Sequence, residues 1–83
     1  MELKDTVKLM TSSDYKDRFR AEYYQLHERI AKLSEMLYKY KYKLLDFTPK
    51  CNYDILYKQL KYMEHYEATL WDRAIIEGID LKE

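Results

Sequence analysis

Glycine and proline each occur once in this chain of 83 residues, as Gly78 and Pro49. Because these residues are the usual breaks in regular structure, the chain has room for long helices but not for the many turns of a β-sandwich or barrel. The single cysteine excludes a disulfide scaffold, and the shortage of glycine excludes Rossmann and P-loop phosphate sites. At this length we expect one small domain over residues 1–83.

Apolar residues recur in alternating steps of three and four on both sides of Pro49. The first series is Phe19, Tyr23, Leu26, Ile30, Leu33, Leu37, Tyr40 and Leu44, and the second is Tyr53, Leu56, Leu60, Met63, Leu70 and Ala74. This heptad spacing is typical of helices that pack along one face. We predict a short helix over about 2–10, a long helix over about 14–44, a turn over about 45–52 and a second long helix over about 53–77.

Capping residues stand at the predicted helix ends. The polar cluster at 11–14 supplies side-chain oxygens for the start of the first long helix. Either Asn52 or Thr48 caps the second. Gly78 suits the left-handed position just after that helix, with Ile79 folding back on the last turn as in a Schellman motif.

The predicted fold class is all-α, a short N-terminal helix followed by an antiparallel helical hairpin. The hairpin leaves a second set of apolar residues without a partner: Ala68, Trp71, Ile75 and Ile79 with Tyr24, Ala31 and Tyr38. Because so small a domain has little stability to spare, we expect self-assembly into a helical homo-oligomer through this second face. The alternative is that the N-terminal helix covers it.

Catalytic, metal and membrane functions have no support in the sequence. His27 and His65 lack a second His or Cys at the spacing of metal ligands, and Cys51 stands alone in the turn. We therefore expect no catalytic residue, no metal and no cofactor. No apolar run reaches the length of a membrane helix, so we expect no membrane partner and a place in the cytoplasm.

Charge is balanced in total, with 15 basic and 15 acidic residues, but lysines and tyrosines are concentrated around the turn. The basic pole is Tyr38, Lys39, Tyr42, Lys43 and Lys61. Lysines interleaved with aromatic rings suit a nucleotide or a single-stranded nucleic acid. The alternative is that these tyrosines pack and the lysines only solvate a helix face. The zero net charge argues against duplex DNA as a partner.

Arginines are concentrated at the opposite, open end of the hairpin. The arginine pole is the candidate ligand site, and its residues are Tyr15, Arg18, Arg20, Glu22, Trp71 and Arg73. Here Tyr15 or Trp71 would stack on a base, the arginines would hold phosphate or ribose, and Glu22 would accept a hydrogen bond from a hydroxyl. The alternative is a network of ion pairs between subunits.

The segments SSDYKDRFRAEYYQL and DRAIIEGIDL and the LDFTPKC turn resemble those of a family of short helical proteins encoded by tailed phages and prophages, first catalogued in a crAss-like phage. In size and layout the chain is also similar to the small anti-CBASS and anti-Thoeris sponges, phage hairpins that oligomerise and trap nucleotide signals between protomers.

These resemblances imply a non-enzymatic anti-defence protein in the host bacterium. It would sequester an immune signal of the cyclic nucleotide or ADP-ribose type in clefts of the oligomer. The likeness to the sponges is one of architecture, and fold alone does not fix function. The alternative is an interaction module that docks a host or phage protein through its Tyr and Trp side chains.

Overall fold

The computed structural model describes residues 3–81. The elements are a 3₁₀-helix, Leu3–Thr6, followed by α1 (Val7–Met10), α2 (Tyr15–Lys41) and α3 (Tyr53–Glu77). No strand is present in this part of the chain, and the prediction of an all-α fold is confirmed. The predicted short helix is divided into a 3₁₀ turn and an α turn, and its first predicted residue, Glu2, lies outside the described residues.

Helices α2 and α3 pack side by side as an antiparallel hairpin about 43 Å long. Each begins at a side-chain cap. The Asp14 carboxylate accepts a hydrogen bond from the Lys16 amide at 2.9 Å, and the Asn52 side chain accepts one from the Ile55 amide at 2.9 Å. These caps satisfy N–H groups that have no partner within the helix, which is why the helices begin there.

Helix α2 ends at Lys41, three residues before the predicted end at Leu44. Lys43 adopts a left-handed conformation with φ of 59°. Its amide donates to the Tyr40 carbonyl at 3.2 Å, and the Leu44 amide donates to the Lys39 carbonyl at 2.7 Å. This Schellman pattern closes the helix while the heptad spacing still continues. Leu44 is consequently exposed and takes no part in the hairpin core.

Helix α3 ends at Gly78, which is left-handed with φ of 69°. The Ile79 amide then donates to the Ala74 carbonyl at 2.8 Å, so the chain folds back on the last turn. The tail, residues 79–81, buries Ile79 and Leu81 in the core. The core cluster, concentrated at the open end of the hairpin, comprises Phe19, Leu26, Leu70, Ala74, Ile79 and Leu81.

The tail covers part of the second apolar face that was predicted for self-assembly. Ile79 is buried by the reversal at Gly78, and Tyr24 is buried beneath the tail with its hydroxyl donating to the Leu81 carbonyl at 3.2 Å. Two residues expected to meet another copy therefore pack within the chain itself. Trp71 and Ile75 of the same set stay exposed.

The N-terminal segment packs across the start of α2. Thr6 is almost fully buried. Its hydroxyl donates to the Leu3 carbonyl at 2.6 Å and accepts from the side-chain Nε2 of Gln25 at 2.9 Å. The segment covers only this end of α2, because Ala31 and Tyr38 are exposed. Among residues 3–81, no helix has both the length and the hydrophobicity needed to cross a bilayer.

We predict that Gly78→Ala lowers the free energy of unfolding by about 1 kcal/mol, because an L-residue is strained at this positive φ. The added methyl group meets no atom within 4 Å, so the cost comes from the backbone alone. Urea unfolding followed by circular dichroism measures it. Lys43→Gly, at the other left-handed position, is the matched control and should not destabilise. Wild-type stability in Gly78→Ala would contradict the role of the left-handed turn.

Candidate functional site

The hairpin has two long edges, and the residues of the arginine pole are divided between them. The groove edge carries Tyr15, Glu22, Tyr66, Arg73 and Glu77, which are linked by hydrogen bonds and by the proximity of Glu22 to Arg73. The tail edge carries Arg20 and Trp71 beside residues 79–81. This division follows from helix geometry. Arg20 and Glu22 are two residues apart on α2, as are Trp71 and Arg73 on α3. Side chains two residues apart point in directions about 200° apart around the helix axis, so each pair is divided between the two edges.

On the groove edge, a charged cluster joins the start of α2 to the end of α3. The Tyr15 hydroxyl donates to Glu77 Oε1 at 2.9 Å and accepts from Arg73 Nη2 at 2.7 Å. Arg73 Nε also donates to Glu77 Oε2 at 3.1 Å, and the guanidinium lies 5.0 Å from the centre of the Phe19 ring. Arg73 is therefore fixed in place by three different side chains.

The same contacts shift the ionisation of the cluster. The hydrogen bond from Tyr15, followed by the one from Arg73, holds the pKa of Glu77 below its usual range. The hydrogen bond from Tyr15 to Glu77 raises the pKa of Tyr15. The separate hydrogen bond from Arg73 to Glu77 is the largest cause of the raised pKa of Arg73. At neutral pH the cluster consequently contains a neutral tyrosine between a carboxylate and a guanidinium.

On the tail edge, the predicted ligand residues Arg20 and Trp71 make contacts within the chain. Arg20 Nε donates to the Asp80 carbonyl at 2.8 Å, and Arg20 Nη1 pairs with Asp17 at 3.1 Å. The Trp71 ring lies 6.2 Å from the ring of Tyr23, with about half of its surface exposed. Arg20 therefore fastens the tail to α2.

Arg18 lies toward the N-terminal segment, where its Nη1 donates to the Ser12 carbonyl at 2.9 Å. Within a single chain, the six residues of the arginine pole do not surround one common space. Tyr15, Glu22 and Arg73 share the groove edge, whereas Arg20 and Trp71 share the tail edge. Their role in binding a ligand stays a prediction.

A groove of about 630 Å³ runs between α2 and α3 beside Glu22. The apolar part of its lining is Leu26, Leu33, Met36, Met63 and Tyr66. The polar part is Glu22, Gln25, Arg29, Lys32 and Gln59. Its size falls in the range of small-molecule sites, which are about 300–1,000 Å³, and its two cations outnumber its one carboxylate.

The charged groups of the groove differ in how far they are already paired. The Glu22 carboxylate accepts a hydrogen bond from the Tyr66 hydroxyl across the groove. Lys32 is 3.9 Å from Glu28, the outer limit of an ion pair. The Arg29 guanidinium makes no hydrogen bond or ion pair with any other residue of 3–81. Arg29 is therefore the cation best placed to take an anionic ligand.

The groove was missed by sequence reasoning for a specific reason. Arg29, Lys32 and Gln59 flank the heptad positions and look in the sequence like ordinary solvated helix residues. Only the packing of α2 on α3 brings Arg29 and Gln59, from different helices, to one lining. The signal available in the sequence was a pair of methionines: Met63 belongs to the second heptad series, and Met36 lies directly beside a residue of the first series.

The basic pole lies at the turn end, and most of its cations are engaged. Lys39 pairs with Glu35 at 3.1 Å and Lys61 with Glu64 at 3.2 Å. The bond to Glu64 raises the pKa of Lys61, whose ammonium also lies 4.9 Å from the centre of the Tyr57 ring. These pairs favour the interpretation of a solvated helix face.

Two tyrosines of the basic pole present a free aromatic surface. The rings of Tyr38 and Tyr42 lie 4.9 Å apart, and both side chains are exposed. Lys43 occupies the left-handed turn position instead of a helix face. In the described part of the chain, no three His, Cys, Asp or Glu residues are grouped so as to hold a metal ion.

The model of the Sequestin family matches residues 13–76, which include all of α2 and nearly all of α3. Searches of the curated proteins and of the solved structures found no match.

We predict that Glu77→Gln destabilises the hairpin at neutral pH and that this difference disappears in acid. Because the folded state lowers the pKa of Glu77, its stabilisation is present above the ordinary carboxyl range and is lost as pH falls through the lowered value. Urea midpoints of both proteins across the acidic range measure this. The control is Asp46→Asn, an exposed acid in the turn between the two long helices. A difference that persists at the lowest pH would contradict a charge-based contribution.

Proposed function

Because the chain belongs to the Sequestin family, we propose that it binds a small nucleotide and holds it without chemical change. The family name is compatible with a protein that sequesters a molecule. The observation that carries the proposal is the groove between α2 and α3, in which the unpaired guanidinium of Arg29 lies beside an apolar wall. A flat base and an anionic phosphate need this combination of surfaces.

The groove lining offers a role for each part of a nucleotide. The thioethers of Met36 and Met63 and the ring of Tyr66 supply a surface for a base. The Gln59 amide carries both a donor and an acceptor for a base edge, and Arg29 with Lys32 supplies charge for phosphate. This assignment moves the main phosphate contact from the arginine pole to the middle of the hairpin.

The predicted residues on the groove edge extend the same site. Glu22 lines the groove, and Arg73 lies close enough to Glu22 for their charges to interact. A ligand with a second phosphate or ribose, such as a cyclic dinucleotide or an ADP-ribose derivative, would span from Arg29 to Arg73 and Tyr15. We propose ligands of this elongated class.

We further propose that the protein acts inside a bacterial host as a phage-encoded, stoichiometric inhibitor of a nucleotide-signalling defence, as a homo-oligomer. The resemblance to phage hairpin proteins and the family match support this role. Sequestration requires tight binding and no turnover. It therefore needs no arrangement of nucleophile and base.

The second candidate function is protein docking through the tail edge. Trp71 and Ile75 are 47% and 68% exposed and border a hollow of about 180 Å³ with the tail. Tryptophan is a frequent anchor in protein interfaces. A partner captured through this edge would be lost in Trp71→Ala, whereas nucleotide binding in the groove would survive that change.

We predict that titration calorimetry with a cyclic dinucleotide, a cyclic mononucleotide and ADP-ribose as probes detects binding of at least one. Arg29→Gln should weaken that binding about tenfold or more, since a hydrogen bond to a charged group contributes about 1.5–3 kcal/mol. Arg18→Gln is the matched control, because Arg18 bonds the Ser12 carbonyl away from the groove. Loss of binding in Arg18→Gln with Arg29→Gln unaffected would overturn the groove assignment.

We also predict that the bound nucleotide is recovered unchanged. Native mass spectrometry of the complex should give a fixed ligand-to-chain ratio. Chromatography after denaturation should return the intact probe, since binding without turnover leaves every bond in place. Release of a hydrolysis product would contradict sequestration, as would the absence of binding to every probe.

A further inference from the structure

We infer that two copies of this chain pair antiparallel along the outer face of α3, so that each copy borders the nucleotide groove of the other. The face is defined by four residues at strict sevenfold spacing: Ile55, Tyr62, Thr69 and Ile76. All four are exposed, and Ile76, at 83%, is the most exposed of the large apolar side chains in residues 3–81. This stripe is separate from the heptad positions that pack α3 on α2.

Three of these four residues are apolar, and sevenfold spacing on a helix is typical of side chains that pack against a second helix. No other helix within residues 3–81 covers it, because both long helices already use their heptad positions on each other. Shallow space of about 450 Å³ runs along the stripe past Ile55, Tyr62 and Tyr66. On a straight helix, the direction of side chains seven residues apart rotates by about 20° around the axis in each heptad. A left-handed supercoil of the two helices keeps them in contact over the three heptads of the stripe.

The stripe has an isoleucine at each end, which fits an antiparallel twofold pair. Ile55 and Ile76 are equally distant from the midpoint between residues 65 and 66, and Tyr62 and Thr69 are equally distant from the same point. In an antiparallel pair centred there, Ile55 meets Ile76 of the second copy at both ends. Tyr62 meets Thr69 of the second copy in the middle. Such self-complementarity is what a closed dimer interface requires.

Charge along α3 favours the same arrangement. The first half of the helix, residues 53–65, balances Lys58 and Lys61 against Asp54 and Glu64. The second half carries three acids, Glu67, Asp72 and Glu77, against Arg73. Antiparallel pairing therefore places the acidic half of one copy against the neutral half of the other, whereas parallel pairing places the two acidic halves together.

One flank of the stripe contributes a specific ion pair. Lys58, His65 and Asp72 lie on this flank, and an antiparallel pair brings the same flank of both copies together. Lys58 then faces Asp72 of the second copy on each side of His65. Neither Lys58 nor Asp72 has an ion-pair partner among residues 3–81.

The other flank connects the pair to the groove, and this consequence rests on the proposed function. Gln59, Tyr66 and Arg73 lie on it, and Gln59 and Tyr66 line the groove. The same symmetry brings Arg73 of the second copy opposite Gln59. A guanidinium from each copy would then stand at the lip of the other copy's groove. The two grooves would lie on either side of paired Tyr66 side chains.

Sedimentation equilibrium of the ligand-free chain tests the interface. The wild type should have about twice the chain mass of 10.3 kDa, or an even multiple if dimers associate further. Ile76→Glu should raise the dissociation constant about tenfold or more, because it places a charge in an apolar contact. Ile75→Glu is the matched control, since Ile75 borders the tail instead of the stripe. A monomeric wild type, or loss of pairing in Ile75→Glu alone, would overturn the inference.

Cysteine cross-linking tests the orientation in a Cys51→Ser background. Residues 55 and 76 lie about 31 Å apart on one helix, so they bridge only between antiparallel copies. Ile55→Cys with Ile76→Cys should give a disulfide-linked dimer under mild oxidation, and either change alone should not. Cross-linking by single variants would indicate parallel pairing and overturn the inference. In addition, Lys58→Glu and Asp72→Lys should each weaken pairing several-fold, and the double variant should restore it.

Pairing and nucleotide binding can fail independently. Sedimentation and cross-linking contain no ligand, so their outcome does not depend on the proposed function. If the second copy contributes Arg73, Ile76→Glu should bind the best probe at least about threefold more weakly than Ile75→Glu. Equal affinity of the two variants would show that the second copy adds nothing to the site.

Discussion

The packing of the first half of α2 against the second half of α3 is the contact on which the rest of the structure depends. It buries Phe19, Leu26 and Leu70 almost completely, and the tail closes over them with Leu81. Burying each such side chain stabilises by about 1.5–3 kcal/mol, a large fraction of what a domain of this size has available. The charged contacts of the groove edge and the tail edge are arranged around this cluster.

The candidate site is a consequence of how that packing changes along the hairpin. At the open end, Ala74 lets the helices and the tail approach closely. Toward the middle, Met36 of α2 and Met63 of α3 both line the groove. Methionine fills space adaptably but leaves irregular surfaces. The candidate site therefore lies next to the core, and its cations come from helix positions that have no packing role.

The sequence predicted the helices well because their signals are local. Asp14 and Asn52 cap helices within three residues, and Gly78 ends α3 through its own backbone freedom. The end of α2 was predicted too late because the apolar spacing continues to Leu44, whereas the turn is decided by hydrogen bonds at Lys43. Hydropathy alone does not report where a backbone reverses.

The site was less predictable because it depends on contacts between distant residues. Arg20 and Arg73 look alike in the sequence, yet one fastens the tail and the other bridges the helices at Tyr15. Arg29, which has no partner among residues 3–81, carries no distinguishing local signal. Residue type indicated arginine chemistry at one end of the hairpin, and only tertiary packing decides which guanidinium is free.

The concentration of the core at the open end makes the hairpin unequal along its length. Toward the turn, buried apolar contacts are reduced to Leu37 and Leu60, while Tyr38 and Phe47 are exposed. Amide hydrogens near the turn should therefore exchange with solvent through local fraying, and those around Leu70 only through global unfolding. Fraying that begins at the turn would then reach the groove before it reaches the core at the open end.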